Sequence, residues 1–250
     1  MGGNPVVQEL EETASTQDLL HAMAADGAPT GSAVVARVQR GGRGRRGRPW
    51  ASPAGGLWLS VLCRPPADAA LDLLSLRVGL AVAGALETWC PDLRLGLKWP
   101  NDLMLVGRKL GGILCEARWQ GGTVGWVAVG LGVNVCNPIP DDLAARAIAL
   151  ATVVPGAVPE ALREPVIRAV CSAGQQGGAL TAAELGAWAA RDWLLGRRLA
   201  APVAGVAAGL APDGALRVTS DAGETSLVRA GTVELATTPD GPPHPDAAGP

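Results

Sequence analysis

The stretch from Arg94 to Val135 limits the fold more than any other part of the chain. Its apolar runs Arg94–Trp99, Lys109–Trp119 and Val124–Val135 read as strands bounded by turn signals. Only turn signals separate the strands and interrupt the run: Pro100-Asn101-Asp102, Val106-Gly107-Arg108 and Gly121-Gly122. A crossover between neighbouring parallel strands needs about a dozen residues or more. These connections are too short to hold such a helix, so meander-like antiparallel pairing is expected.

Other elements arrange themselves around that meander. Ser15-Thr16-Gln17-Asp18 opens a helix through about Asp26, with Ser15 and Asp18 spaced as in a capping box. Ser32–Gln39 and Leu57–Leu62 read as strands, and between them lies a glycine- and arginine-rich loop, Arg40–Pro53. Ala69–Trp89 is apolar with few charges and reads as a helix packed deep in the core. Asp141–Leu150, Pro159–Gly174 and Thr181–Leu195 read as helices. After Gly196 the pattern changes to short strands at Arg198–Ala204, Ala215–Thr219, Thr225–Arg229 and Thr232–Leu235. Turns at Pro212-Asp213-Gly214 and Asp221-Ala222-Gly223 join them, which suggests a small barrel appended to the main domain. The predicted division is a main domain at 1–195, a barrel at 196–237 and a disordered tail at 238–250, where Pro and Gly leave nothing to build a core.

Composition removes several function classes. With 21 basic and 23 acidic side chains the net charge is −2, which argues against a chain built to coat nucleic acid. The five cysteines lie far apart without a CxxC pair, so buried free thiols in a reducing cytoplasm are expected. Two histidines, His21 and His244, offer almost no material for a catalytic triad or a histidine metal centre. The N-terminus has neither the basic nor the apolar segment of a signal peptide, and no uncharged apolar run is long enough to span a membrane.

Basic charge is nonetheless gathered in one place. Gly41–Arg48 reads GGRGRRGR. Gly42, Gly44 and Gly47 spell G-x-G-x-x-G, but Pro49 and Pro53 follow where a dinucleotide fold needs a helix. A solvated basic loop or nucleic-acid patch is the plain reading. The loop sits between two apolar strands, however, where glycine lets backbone N–H groups approach an anion and Arg43, Arg45, Arg46 and Arg48 can fork onto phosphate oxygens.

Three further segments stand out. Lys98-Trp99-Pro100-Asn101-Asp102 is a turn whose carboxylate and amide can also hold a Mg²⁺-bound water or a nucleotide. Gly107-Arg108-Lys109-Leu110-Gly111-Gly112 leaves room beside Lys109, and Gly130-Leu131-Gly132-Val133-Asn134 ends an apolar strand on one amide. Lys98 and Lys109 are the chain's two lysines against 19 arginines, so at least one place suits a compact ammonium over a planar fork.

In their order and spacing STQD, GRGRRGRPWASP, KWPNDL, GRKLGGILCE and VGLGVNV resemble the biotin–protein ligases, from about Glu11 to Leu235. The resemblance implies an α+β fold. It comprises a class II aminoacyl-tRNA-synthetase-like catalytic domain with a mixed, largely antiparallel sheet, plus a small C-terminal SH3-like β-barrel. It implies biotin and ATP as substrates with Mg²⁺, biotinyl-5′-AMP as intermediate, and transfer to a lysine of a biotin carboxyl carrier domain. Carried over by motif, Ser15, Thr16 and Gln17 line the ureido end of biotin with Gln39 nearby. Arg43, Gly44 and Arg45 close over biotin and the phosphates, with Arg46 among the phosphate contacts. Arg45 and Lys109 are the electrostatic catalysts, and Asp102 orients Mg²⁺ or the incoming lysine. Gly111 and Gly112 let biotin lie flat, Asn101 and Asn134 meet the nucleotide, Asn134 reads adenine, and Trp50 packs on it.

The resemblance is to the monofunctional class without a DNA-binding module, so no DNA and no membrane are expected as partners, the location is cytoplasmic, and a homodimer is left open. Gln17 stands where many members have Asn, Trp58 where Tyr is common, and Arg40 where a neutral residue is frequent; these departures bear on ligand affinity. A lipoate or octanoate ligase is the rival reading and predicts an apolar tunnel in place of a polar cluster. A nucleic-acid module using the Arg/Gly loop is the second rival and predicts steep salt dependence.

Overall fold

The structure is a computed structural model that describes residues 3–236. The predicted tail at 238–250, with His244, lies outside the described residues. The chain opens with β1 (Val7–Thr13), α1 (Thr16–Ala25) and β2 (Ala33–Gln39), a β–α–β unit in which the strands run parallel. β3 (Leu57–Cys63) pairs antiparallel with β2, and α2 (Leu71–Trp89) follows. The meander is then β4 (Gly96–Lys98), β5 (Asp102–Leu105), β6 (Arg108–Gln120) and β7 (Thr123–Val133), all antiparallel to their neighbours. The seven strands form one mixed, largely antiparallel sheet in the order β1-β2-β3-β7-β6-β5-β4.

α3 (Pro159–Ala173) and α4 (Ala182–Ala189) complete the helices. β8 (Arg198–Ala201), β9 (Gly205–Leu210), β10 (Leu216–Thr219), β11 (Thr225–Val228) and β12 (Glu234–Leu235) make a second, antiparallel sheet in the order β11-β10-β9-β8-β12. The fold is α+β.

Alternation along the strands sets two layers. Leu57, Leu59 and Val61 of β3 and Val129, Leu131 and Val133 of β7 share the large core cluster with Leu73, Leu76, Val82 and Leu86 of α2 and Leu162, Val166 and Val170 of α3. Each fully buried Leu or Val of this layer stabilises the fold by roughly 1.5–3 kcal/mol. The opposite face is covered at one end by Leu20 and Ala24 of α1, against Val34, Leu62, Trp126 and Ala128. At its other end the same face carries Ser60, Gly112, Leu114, Gly130 and Gly132, and here the sheet is covered by the 40–52 segment and opens into a cavity.

Several expectations change. Asp141–Leu150 is not a helix; only the short turns Asp141–Leu143 and Leu150–Thr152 form. The sheet takes this backbone instead, because Lys109 N donates to Arg146 O and Ile148 N to Lys109 O. α4 stops at Ala189, since Arg191 O and Trp193 N pair with Leu97. Ser15 is the N-cap of α1, yet its side chain caps nothing because Arg43 occupies it. A capping box does form at Thr181 and Glu184. The thiols are free, but only Cys63 is buried, and Cys136 is exposed. β1, β5 and β9 are strands that the sequence patterns leave unassigned.

The second sheet is fastened to the first region. Trp99 Nε1 donates to Gly214 O at 2.9 Å, and a Cβ on Gly214 would lie 2.4 Å from Leu73 Cδ2, so the Pro212–Gly214 turn sits tight on α2.

Candidate active site

A cavity of about 820 Å³ opens where the 40–52 segment passes over the sheet face. This segment is a strap with its own ladder. Gln39 N donates to Ser52 O, Trp50 N to Gly42 O and Gly44 N to Arg48 O. Gly42 is required for that closeness, because a Cβ there would lie 2.6 Å from Trp50 O and Ser52 Oγ. The strap reverses at Arg45–Gly47, with Arg46 at φ 59° and Gly47 at φ 69°, and no helix follows the glycines.

One end of the cavity is polar, with its charges paired within the protein. Thr16 N and Oγ1 donate to Gln39 Oε1 at 2.9 and 3.1 Å. Since the Thr16 hydroxyl proton is used there, Ser60 Oγ is the donor in their 2.8 Å contact. Gln39 Nε2 donates to Ser52 Oγ, which donates to Trp50 O. Gln17 Nε2 faces Leu114 O, Glu116 Oε2 and Ala128 O at 3.2–3.4 Å, while Gln17 Oε1 is buried without a partner among the described residues. Burying an acceptor unpaired costs about 1–3 kcal/mol, so a ligand donor is the natural complement.

Arg43 binds back onto the protein. Its guanidinium meets Asp18 at 2.6 and 3.0 Å, Glu116 at 3.0 and 3.3 Å, and Ser15 Oγ at 3.2 Å. Asp18 and then Glu116 raise the Arg43 pKa, so its charge is fixed. Burial pushes the Glu116 carboxyl up, but Arg43 and His21 outweigh it and hold it below the usual carboxylate range.

The other end is cationic. Arg45 Nη1 donates to Asn101 Oδ1 at 3.2 Å, and burial followed by the neighbouring Arg46 lowers the Arg45 pKa. Asn101 is itself fixed, its Nδ2 donating to Ile113 O at 2.9 Å. Lys109 Nζ lies 2.7 Å from Asp102 Oδ1 and 5.1 Å from the centre of the Trp50 ring. Lys98 lines the wall nearby with its ammonium 5.4 Å from the Trp193 ring centre, and burial lowers its pKa. Asn137 anchors Asn134: its Oδ1 accepts from Val135 N, so its Nδ2 donates to Asn134 Oδ1 at 3.1 Å. The Asn134 amide nitrogen is thereby left as the donor.

Of the residues singled out in the sequence, Ser15, Thr16, Gln17, Gln39, Arg43, Gly44, Arg45, Arg46, Trp50, Asn101, Asp102, Lys109, Gly112 and Asn134 line this cavity. Gly111 does not. Neighbouring strand residues face opposite sides, and a Cβ on Gly111 would meet Gly132 O at 2.6 Å, so its lack of a side chain serves strand packing. Trp50 lies over the sheet rather than free in the cavity, since a Cβ on Gly132 would sit 2.6 Å from its Nε1.

Sequence reasoning missed Ser52, Ser60, Glu116, Asn137 and Thr232, and it gave no site role to Lys98, Gly130 and Gly132 although they lie in segments it singled out. Gly130 and Gly132 alternate with Val129, Leu131 and Val133, and that period of two is the signal that puts both glycines on one face. Thr232 carried no signal: it accepts from Arg46 Nη1 at 3.2 Å, bringing the second sheet to the strap's tip. Among the described residues, no three of His, Cys, Asp and Glu are grouped to hold a metal.

The profile of the biotin/lipoate A/B protein ligase family matches residues 10–134. The biotin–[acetyl-CoA-carboxylase] ligase of Paracoccus denitrificans is 46% identical over 133 residues, 52% of this chain and 52% of that protein. The bifunctional ligase/repressor BirA of Bacillus subtilis is 39% identical over 136 residues, 52% of this chain and 41% of its own length. The chain thus aligns with about half the length or less of these curated relatives. The solved biotin protein ligase of Aquifex aeolicus, in complex with biotin and ATP, superposes with a TM-score of 0.77 at 26% identity, covering 93% of this chain and 99% of that one.

Proposed function

The chain belongs to the biotin/lipoate A/B protein ligase family, and from that premise we propose that it activates biotin with ATP and attaches it to a lysine of an acceptor protein. One observation carries the choice: a single cavity joins a polar end, with an unpartnered acceptor on Gln17, to a cationic end built from Arg45, Lys98 and Lys109. A ring bearing donors and acceptors fits the first end, and a carboxylate meeting a polyphosphate fits the second.

In the first step a biotin carboxylate oxygen bonds to the α-phosphorus of ATP and pyrophosphate leaves. Both reactants are anions, so the cations that screen them are the natural catalysts. Arg45, held by Asn101, and Lys109, held by Asp102, stand where that screening is required. In the second step the acceptor amine bonds to the carbonyl carbon of biotinyl-5′-AMP, loses a proton, and AMP leaves. Asn134 offers an amide donor for adenine.

Magnesium would arrive with the nucleotide. Asp102 is the carboxylate at the phosphate end and already faces an ammonium, so it suits a water-mediated contact, with the phosphates supplying the other ligands. On this reading residues 1–195 carry the chemistry and residues 196–237 form a supporting unit that reaches the strap through Thr232. The acceptor is a biotin carboxyl carrier domain, by analogy with the names of the relatives. A cytoplasmic site suits the exposed free thiol of Cys136. β1 is an edge of the large sheet and the place where a second copy could pair. Among the described residues no helix is long and apolar enough to cross a membrane.

The test is pyrophosphate release from ATP, measured with biotin, lipoate and octanoate separately. Release with biotin alone supports the proposal; release with lipoate or octanoate but not biotin overturns it.

A further inference from the structure

Glu116 does not line the cavity, yet three residues that do depend on it. It stands on β6 opposite Ala128, on the cavity side of the sheet. Its carboxylate accepts from Gln17 Nε2 at 3.3 Å and from Arg43 at 3.0 and 3.3 Å. Arg43 in turn donates to Ser15 Oγ at 3.2 Å. Behind Glu116, Trp126 Nε1 donates to His21 Nδ1 at 2.9 Å, which puts the ring proton of a neutral His21 on Nε2, 3.4 Å from Glu116 Oε2. The carboxylate is therefore held by Gln17 and Arg43, with His21 Nε2 close behind it.

These contacts set polarity as well as position. Turning the Gln17 amide over would place its oxygen against three acceptor oxygens, so Nε2 stays inward and Oε1 remains the unpartnered acceptor. Ser15 Oγ already accepts from Arg43, so its own proton is free to be donated.

We propose that Glu116 is the positioning residue for the polar end of the cavity: through Gln17 and Arg43 it presents one acceptor and one donor, the pattern that selects a ring carrying both N–H and C=O groups. The ligand class is a cyclic urea over a purely apolar ring. This rests on the biotin reading above and deepens it.

The experiment compares wild-type protein with Glu116→Leu and Glu116→Gln, measuring biotin-dependent pyrophosphate release with biotin and with biotin methylated at the ureido nitrogens. Glu116→Leu is expected to raise KM for biotin about tenfold, the size of one lost hydrogen bond, with kcat and the KM for ATP nearly unchanged. Its preference for biotin over the methylated analogue should shrink by a similar factor. Glu116→Gln keeps the shape and serves if the leucine variant does not fold; a smaller shift in the same direction is expected. In Gln17→Leu protein, Glu116→Gln should cost less than in the wild type, because only the route through Arg43 remains. Equal losses for biotin and ATP, or an unchanged preference in both Glu116 variants, would overturn the positioning role. Wild-type protein that releases no pyrophosphate with biotin would instead defeat the functional reading itself.

Discussion

Lys109 Nζ and Asp102 Oδ1 lie 2.7 Å apart although the two residues are not register partners: Asp102 faces Gly112 across the β5–β6 ladder, and Lys109 faces Met104. The Lys109 side chain leans along its own strand to make the contact and passes over Gly112, where a Cβ would lie in ordinary contact, 3.5 Å from Nζ. The ammonium is thereby placed by one carboxylate and the Trp50 ring together.

Lys109→Arg is expected to slow adenylate formation by roughly a hundredfold or more, because a planar fork cannot take the place of a compact ammonium beside Gly112 and Trp50. Single-turnover pyrophosphate release measures this. A rate close to wild type would show that charge alone suffices.

Arg45→Ala should lower the same rate by about 10²–10³-fold, as loss of a transition-state cation does. Asn101→Ala keeps the cation and loses its holder, so a smaller fall of about tenfold is expected. If the two variants were equally slow, Asn101 would have to act on the nucleotide directly.

Gly132→Ala should disturb the strap rather than the sheet. The added methyl would lie 2.6 Å from Trp50 Nε1, so the indole must move off the sheet. Tryptophan fluorescence should shift and KM for ATP rise several-fold, with thermal stability falling by only about 1 kcal/mol or less. An unchanged KM would detach Trp50 from nucleotide binding.

Asp192 provides a pH signature. Burial raises its carboxyl to about 6, and Oδ2 has no partner among the described residues. An acid whose folded pKa is raised contributes stability that is fully present below the unfolded pKa and lost as pH rises through the folded one. Stability should therefore fall between about pH 4 and pH 6–7 through this group, by at most about 3 kcal/mol. Asp192→Asn should flatten that slope in denaturant unfolding; an identical slope would refute the assignment.

Much of the site was legible because its chemistry is local in sequence. The strap's glycines and arginines, the Lys98–Asp102 turn and Lys109 carry their residue types whatever surrounds them. β1 was not legible, because it is an edge strand whose Gln8, Glu9, Glu11 and Glu12 break any apolar period. Asp141–Leu150 misled for the opposite reason: its own pattern favours a helix, but Lys109 of β6 and Asn134 just after β7 take its backbone groups, and propensity yields to pairing.

The sequence by itself determined the antiparallel meander, the buried α2 and the set of groups available for chemistry, because turn length, apolar period and side-chain type are properties of short segments. Which groups meet was decided only by the tertiary structure. Gln17, Glu116 and Arg43 are separated by 99 and 73 residues along the pairs that join them, and their polarity follows from contacts that no local pattern encodes. An amide or a hydroxyl has two roles open to it, and only its folded surroundings choose whether it gives or receives a proton.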